Sequence, residues 1–230
     1  MTDLPAMLDT LFDEVPSDLV AYFDQIADGS LHKHDECEVS LLPPVDAVRW
    51  TNDFRDFHPL VQLLGGVILD DPNTSNHHVY LSAGSCKGAV LFLSHDGDSR
   101  IVFASLTAYL DAARRSISDS RDLSLFHPDG GVLIADQDGL YRLIADLYDG
   151  AGVDGADVIL ALIPSWDLTD IALLQRMAID NDFYVAEAVG DAIARRPRPE
   201  LESTALLCRN HSHPQASKAG ERAMAALKAL

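Results

Sequence analysis

The sequence predicts an α+β fold: a mixed, mostly antiparallel sheet with packed helices, followed by an all-α region. Three observations carry this expectation. The chain opens on apolar residues at helical spacing. Four stretches rich in β-branched and aromatic residues follow, VILDD, HVYLSA, GAVLFLSHD and RIVFAS, separated by turn residues. After about Ser116 the composition shifts to segments that are almost wholly helical.

Leu4, Met7, Leu8, Leu11, Phe12 and Val15 share one face of a first helix, which Pro16 breaks. Ser17 then caps a second helix, with Leu19, Val20, Phe23 and Ile26 on its apolar side and Gly29 as its terminator. Residues 30–66 read as loops and short extended pieces, punctuated by Pro43–Pro44, Trp50 and Gly65–Gly66. Among the strands, DDPNTSN is a loop with strong turn chemistry. His95-Asp96-Gly97-Asp98 joins VLFL to RIVF as a hairpin turn, because glycine accepts positive φ. His77–His78, flanked by strand residues, presents one side chain inward and one outward. Ser105 precedes the helical stripe Leu106, Tyr109, Leu110, Ala113.

The first domain is expected over residues 1–118, a linker with short helices over 119–165, and helical hairpins over 166–230. The last four helices contain an internal repeat. Val185, Val189, Ala192 and Ile193 stand at the same offsets from Asp182 as Ala216, Gly220, Ala223 and Met224 from His213. Small residues at these positions let helices approach closely, and the pattern is similar to two HEAT-like hairpins that stack on a shared core; the alternative is an ordinary helical bundle with an Ala-rich last helix.

The charge is far from average. Seventeen Lys and Arg stand against 36 Asp and Glu, a net charge of -19. Up to Ser116 there are 18 acids and 7 bases; beyond it, 18 and 10. Such a field disfavours nucleic acid and anionic membrane as partners. It favours a basic partner and fast, salt-sensitive association. MTDLPAMLDT has no basic signal-type start, and no apolar run approaches the roughly 20 residues of a membrane span. Three widely spaced cysteines suit a reducing compartment, so a cytoplasmic location is expected.

Chemistry-bearing motifs are sparse. The clusters His32, His34, Cys37 and Cys208, His211, His213 lack zinc-finger spacing, so no metal is expected. A calcium loop counted from Asp96 fails at its fifth and twelfth positions, Arg100 and Thr107. There is no GxSxG, P-loop or dinucleotide fingerprint, and no cofactor is expected. Ser85-Cys86-Lys87 places a thiol beside a cation, but a cysteine there more often packs.

VPSDLVAYFDQIADG, then Trp50, Gly65–Gly66, the strands, and finally GAVLFLSHDGDSRIVFASLTAYLDAAR follow a recognisable order. Over residues 4–115 the chain resembles the SUKH superfamily, fungal cell-wall-synthesis regulators and bacterial immunity proteins. Gly88, Asp96, Gly97, Ser105, Leu106 and Leu110 match its ending, whereas residues 30–60 fit loosely and Asp28 stands where asparagine is usual. The resemblance implies helices packed on a mostly antiparallel sheet and no catalysis. It also implies direct binding to a polymorphic toxin, many of which are nucleases and therefore basic.

The expected function is thus a cytoplasmic, non-enzymatic immunity protein that occludes a cognate basic, nuclease-like toxin. The alternatives are a regulatory or scaffold module of SUKH type and, more remotely, a thiol enzyme at Cys86. Partner contacts are expected at turn acids read as exposed, Asp70, Asp71, Asp96 and Asp98. Trp50 and Trp166 are candidate anchors, since tryptophan is enriched in binding hot spots, against the commoner role of a core residue.

Overall fold

The computed structural model describes residues 7–150 and 153–230. The chain divides into two compact units, Met1–Ile134 and Ala135–Leu230. The boundary lies inside the stretch expected as a linker: residues 119–134 go with the first unit and 135–165 with the second.

The first unit holds a sheet of β1 (Gly66–Ile68), β2 (His77–Leu81), β3 (Val90–Leu93) and β4 (Arg100–Phe103). Its order is β1-β2-β3-β4, and every neighbouring pair is antiparallel. The mixed sheet expected from sequence is therefore a pure meander among the described residues. The connections run over 69–76, 82–89 and 94–99. Each is shorter than the dozen or so residues that a parallel crossover needs.

Among the described residues, the sheet is flanked by α1 (Ser17–Ile26), α2 (Pro44–Arg55), α3 (Pro59–Leu63) and α4 (Leu106–Asp119). On one face the Tyr80 hydroxyl donates to Asp18 of α1 at 2.9 Å, and Tyr109 of α4 lies against the His78 ring, centroids 4.9 Å apart. On the other, α2 and α3 pack on β1. Thr51 of α2 accepts a hydrogen bond from the Ile68 amide at 2.9 Å, and Trp50 and Phe54 contact His77. Because both faces are covered, every residue of β2 is buried. His77 and His78 do take opposite faces, but neither points to solvent, which corrects the inward–outward expectation.

Two further expectations change. Of the helix expected over 4–15, residues 1–6 lie outside the described residues; Met7 and Leu8 are helical, and turns begin at Asp9. Asp13 and Glu14 would oppose the helix dipole at its C-terminal end, and Pro16 ends any continuation. Residues 30–66, read as loops, contain α2 and α3. Pro44 and Pro59 stand in their first turns, where a missing N–H costs nothing and the fixed φ fits a helix. The same prolines that suggested loops are helix starters. The second helix begins at Ser17 itself, with Pro16 at the cap position and no side-chain cap. Ser105 does cap α4, its Oγ accepting from the Ala108 amide at 3.2 Å.

The second unit is all helical among the described residues: α5 (Gln137–Asp149), α6 (Val153–Leu162), α7 (Ile171–Ala178), α8 (Phe183–Arg195), α9 (Glu202–Arg209) and α10 (Pro214–Lys228). Side chains of Asp136, Asp170, Asp182 and His213 cap α5, α7, α8 and α10. The pairs α7–α8 and α9–α10 each turn over a short polar link, and α8 packs along α10. Positions 31 apart in sequence meet directly. Arg222 donates to Asp191 at 2.6 Å, and His211 Nε2 donates to the Asp180 carbonyl at 2.9 Å. Val185, Val189, Ala192 and Ile193 are buried, as are Ala216, Gly220 and Ala223. No helix among the described residues is long and apolar enough to cross a membrane.

Candidate functional site

Asp70 and Asp71 part company, although both were expected as exposed turn acids. Asp70 forms an isolated bridge with Leu41, which extends the line of β1. Successive side chains along an extended strand take opposite sides. Asp70 therefore turns inward and is 0% exposed, while Asp71 stays half-exposed. The inward carboxylate accepts the His78 amide at 2.6 Å, His78 Nδ1 at 2.6 Å and the Tyr109 hydroxyl at 2.9 Å. His78 Nε2 lies 2.9 Å from His127 Nε2, on the loop after α4. Burial alone would raise the Asp70 carboxyl; the His78 charge and the two His78 hydrogen bonds, with a lesser contribution from His77, outweigh it and hold it below its ordinary value. Tyr109 and Tyr22 are pushed well up, first by burial and then by the Asp70 charge.

His127 is pushed down to about 3, by burial first and then by the charges of His78 and Arg100, with Asp70 opposing. The consequence for stability has a definite sign. Unfolded, this histidine takes a proton near pH 6.5; folded, it stays neutral until far lower pH. As pH falls from about 6.5 towards 3 the unfolded chain binds the proton first, so stability falls. The slope reaches about 1.4 kcal/mol per pH unit from this residue. Urea unfolding between pH 7 and 4.5 is expected to show a shallower pH dependence for His127→Gln than for the wild type. Parallel curves would rule out this assignment.

A cleft of about 620 Å³ opens on the opposite, α2-bearing side of the sheet. Trp50 and Phe54 of α2, with Phe57 just beyond it, supply its aromatic wall. Asp71, Asn73 and Ser75 of the 69–76 loop face them across His77. The loop is shaped by a local bond, Asn73 N–H to Asp71 Oδ1 at 3.2 Å, and tied to the β3–β4 turn by His95 N–H to Asn76 Oδ1 at 2.8 Å. Asn73 and Ser75 take left-handed backbone, φ 60° and 62°. His77 Nδ1 lies 2.8 Å from the Asp70 carbonyl. A carbonyl only accepts, so Nδ1 carries the proton of this bond. Asp70 thus orients both histidines: its main chain holds His77 under the cleft, and its side chain holds His78 in the core.

Of the six partner-contact candidates, Trp50 and Asp71 meet in this cleft. Asp96 and Asp98 are exposed on the β3–β4 turn, where Asp98 pairs with Arg100. Asp70 and Trp166 are both fully buried, so neither can touch a partner. Trp166 is a core residue of the second unit, beside Tyr141. Phe54 and Phe57 are absent from the candidates because α2 is not foreseen, and His77 is read from sequence only as a strand residue. Trp50, Phe54 and Phe57 stand at i, i+4 and i+7, which is the signal that would have found them.

Among the described residues no group of three His, Cys, Asp or Glu side chains is arranged to hold a metal. His34 Nε2 bonds the Ser30 carbonyl, and Cys37 is buried. His211 bonds the Asp180 carbonyl, His213 caps α10, and Cys208 is buried. Cys86 is also buried, at the end of a short 3-10 turn. Comparisons with family models, curated proteins and solved structures gave no match to this chain.

Proposed function

We propose that this chain is a non-catalytic, cytoplasmic immunity protein of SUKH type. It binds a cognate basic, nuclease-like toxin and neutralises it by occluding the toxin's active site. One observation supports this above the rest: Asp70 is the only fully buried acid among the described residues. Nearly the whole acidic excess therefore faces water, where it presents a nucleic-acid-like field to a basic protein. The burial of Cys86 weighs against the thiol enzyme, because a nucleophile needs access. The helix pairs of the second unit, read as HEAT-like hairpins, would offer a second binding surface.

Co-expression with any basic, nuclease-like toxin encoded by a neighbouring gene tests the reading. Protection and a joint gel-filtration peak are the expected results; full lethality with no complex would sink it. Recovery of several unrelated partners in a pull-down would favour the scaffold alternative. The doubly reversed Asp96→Lys/Asp98→Lys variant is expected to slow association with the toxin about three- to tenfold at low salt and to flatten its salt dependence. An unchanged on-rate would remove the β3–β4 turn from the interface.

A further inference from the structure

We infer that the first unit's cleft receives an arginine side chain of the bound protein, an assignment that rests on the basic-partner reading above. Three features of the cleft converge on a guanidinium. Its wall is aromatic, with Trp50 and Phe54 centroids 6.0 Å apart and Phe54 and Phe57 5.2 Å apart. Phe57 is 65% exposed, a large ring left at the rim with little packing of its own. A planar cation stacks on such faces, and tryptophan is the best of them.

The second feature is the polar lining. Asp71 brings a half-exposed carboxylate, with the side chains of Asn73 and Ser75 beside it. Arginine brings five N–H donors and no acceptor, which complements this set. The third is that, among the described residues, no Lys or Arg lines the cleft, whose other ring nitrogens belong to His58 and His95. The basic residues of α2 are engaged elsewhere, Arg49 with Asp46 at 2.9 Å and Arg55 with the Leu11 carbonyl at 3.5 Å. With a chain charge of -19, a basic side chain is drawn to the protein and finds both charge and stacking here. Arginine fits better than lysine, whose compact ammonium cannot use a flat aromatic wall and several spread acceptors together.

The test uses the full chain labelled with ¹⁵N in its two tryptophans. Trp50→Phe assigns their indole signals. The probes are acetyl-Gly-Arg-Gly-amide and its citrulline counterpart, which keeps the shape and loses the charge. The arginine peptide is expected to shift the Trp50 signal and leave Trp166 in place, with the citrulline peptide binding about tenfold more weakly. Asp71→Asn and Phe57→Ala are each expected to weaken the arginine peptide about fivefold. A Trp50 indole signal that stays at its folded position in each peptide-free variant, with an unchanged urea midpoint for the first unit, shows that these surface variants keep their fold. Equal response to both peptides, or no response of Trp50 at millimolar concentration, overturns the assignment. The toxin complex separates this inference from the one beneath it. A complex that tolerates Trp50→Ala and Asp71→Asn unchanged removes the cleft from recognition and leaves the partner reading standing. Arginine-specific shifts at Trp50 without any toxin complex do the reverse.

Discussion

Asp70→Ala is expected to destabilise the first unit by about 3–5 kcal/mol, the usual cost of leaving the partners of a buried charged group unsatisfied. The carboxylate has no water to fall back on, and three donors converge on it: the His78 amide, the His78 ring and the Tyr109 hydroxyl. Truncation orphans all three at once in an apolar surrounding. Asp70→Asn keeps an acceptor but loses the charge and turns an amide N–H₂ towards donors, so a loss of about 2 kcal/mol is expected. Urea unfolding followed by fluorescence in a Trp166→Phe background reads the first unit, because Trp50 is then the one tryptophan left. The pH dependence has a fixed sign. A carboxyl lowered by folding contributes in full above its unfolded value, about 3.9, and loses that contribution as pH falls through its lower folded value. The gap between wild type and Asp70→Ala is therefore full at neutral pH and closes below about pH 4. A variant within 1 kcal/mol of wild type at pH 7 would contradict the network described here.

Gly220→Val is the second large effect, and it falls in the other unit. A Cβ at Gly220 would lie 2.0 Å from the Arg209 amide nitrogen and 2.5 Å from Arg209 Cα. Both are main-chain atoms, so no side chain can swing aside; α9 and α10 must separate. A cost of about 3 kcal/mol or more is expected, at the upper end of overpacking penalties. Circular dichroism melting should show the loss, and a melting temperature unchanged by the substitution would exclude so close a crossing. Gly190 on α8 is a milder case, its Cβ meeting the Ala219 Cβ at 2.8 Å. Gly190 lies where α8 packs on α10 and Gly220 where α10 packs on α9, so small residues set how closely these helices approach.

The repeated small positions of the last helices were legible because helical spacing and glycine both act locally. The four strands and the Ser105 cap were legible for the same reason: β-branched runs, turn residues and a capping hydroxyl declare themselves within a few residues. The cleft was half legible. Trp50 and Asp71 were singled out, but the ring partners Phe54 and Phe57 went unseen while Pro43–Pro44 was read as loop punctuation. One proline sign has two meanings: it breaks a helix inside and starts one at its first turn. Nothing local decides between them.

Asp70 and Asp71 mark the limit most clearly. Both stand at the head of the turn-rich DDPNTSN, and by composition they are interchangeable. The sequence by itself determined the acidic charge, the α+β order of elements and the close-packed helix pairs, because these depend on residue type and short spacing. Only the tertiary structure decided that Asp70 faces a histidine and a tyrosine in the core while Asp71 faces an open aromatic cleft. That choice follows from the bridge to Leu41, which continues an extended strand and sends neighbouring side chains to opposite sides. His127 lies 49 residues from His78 in the chain, and no local pattern brings the two rings together.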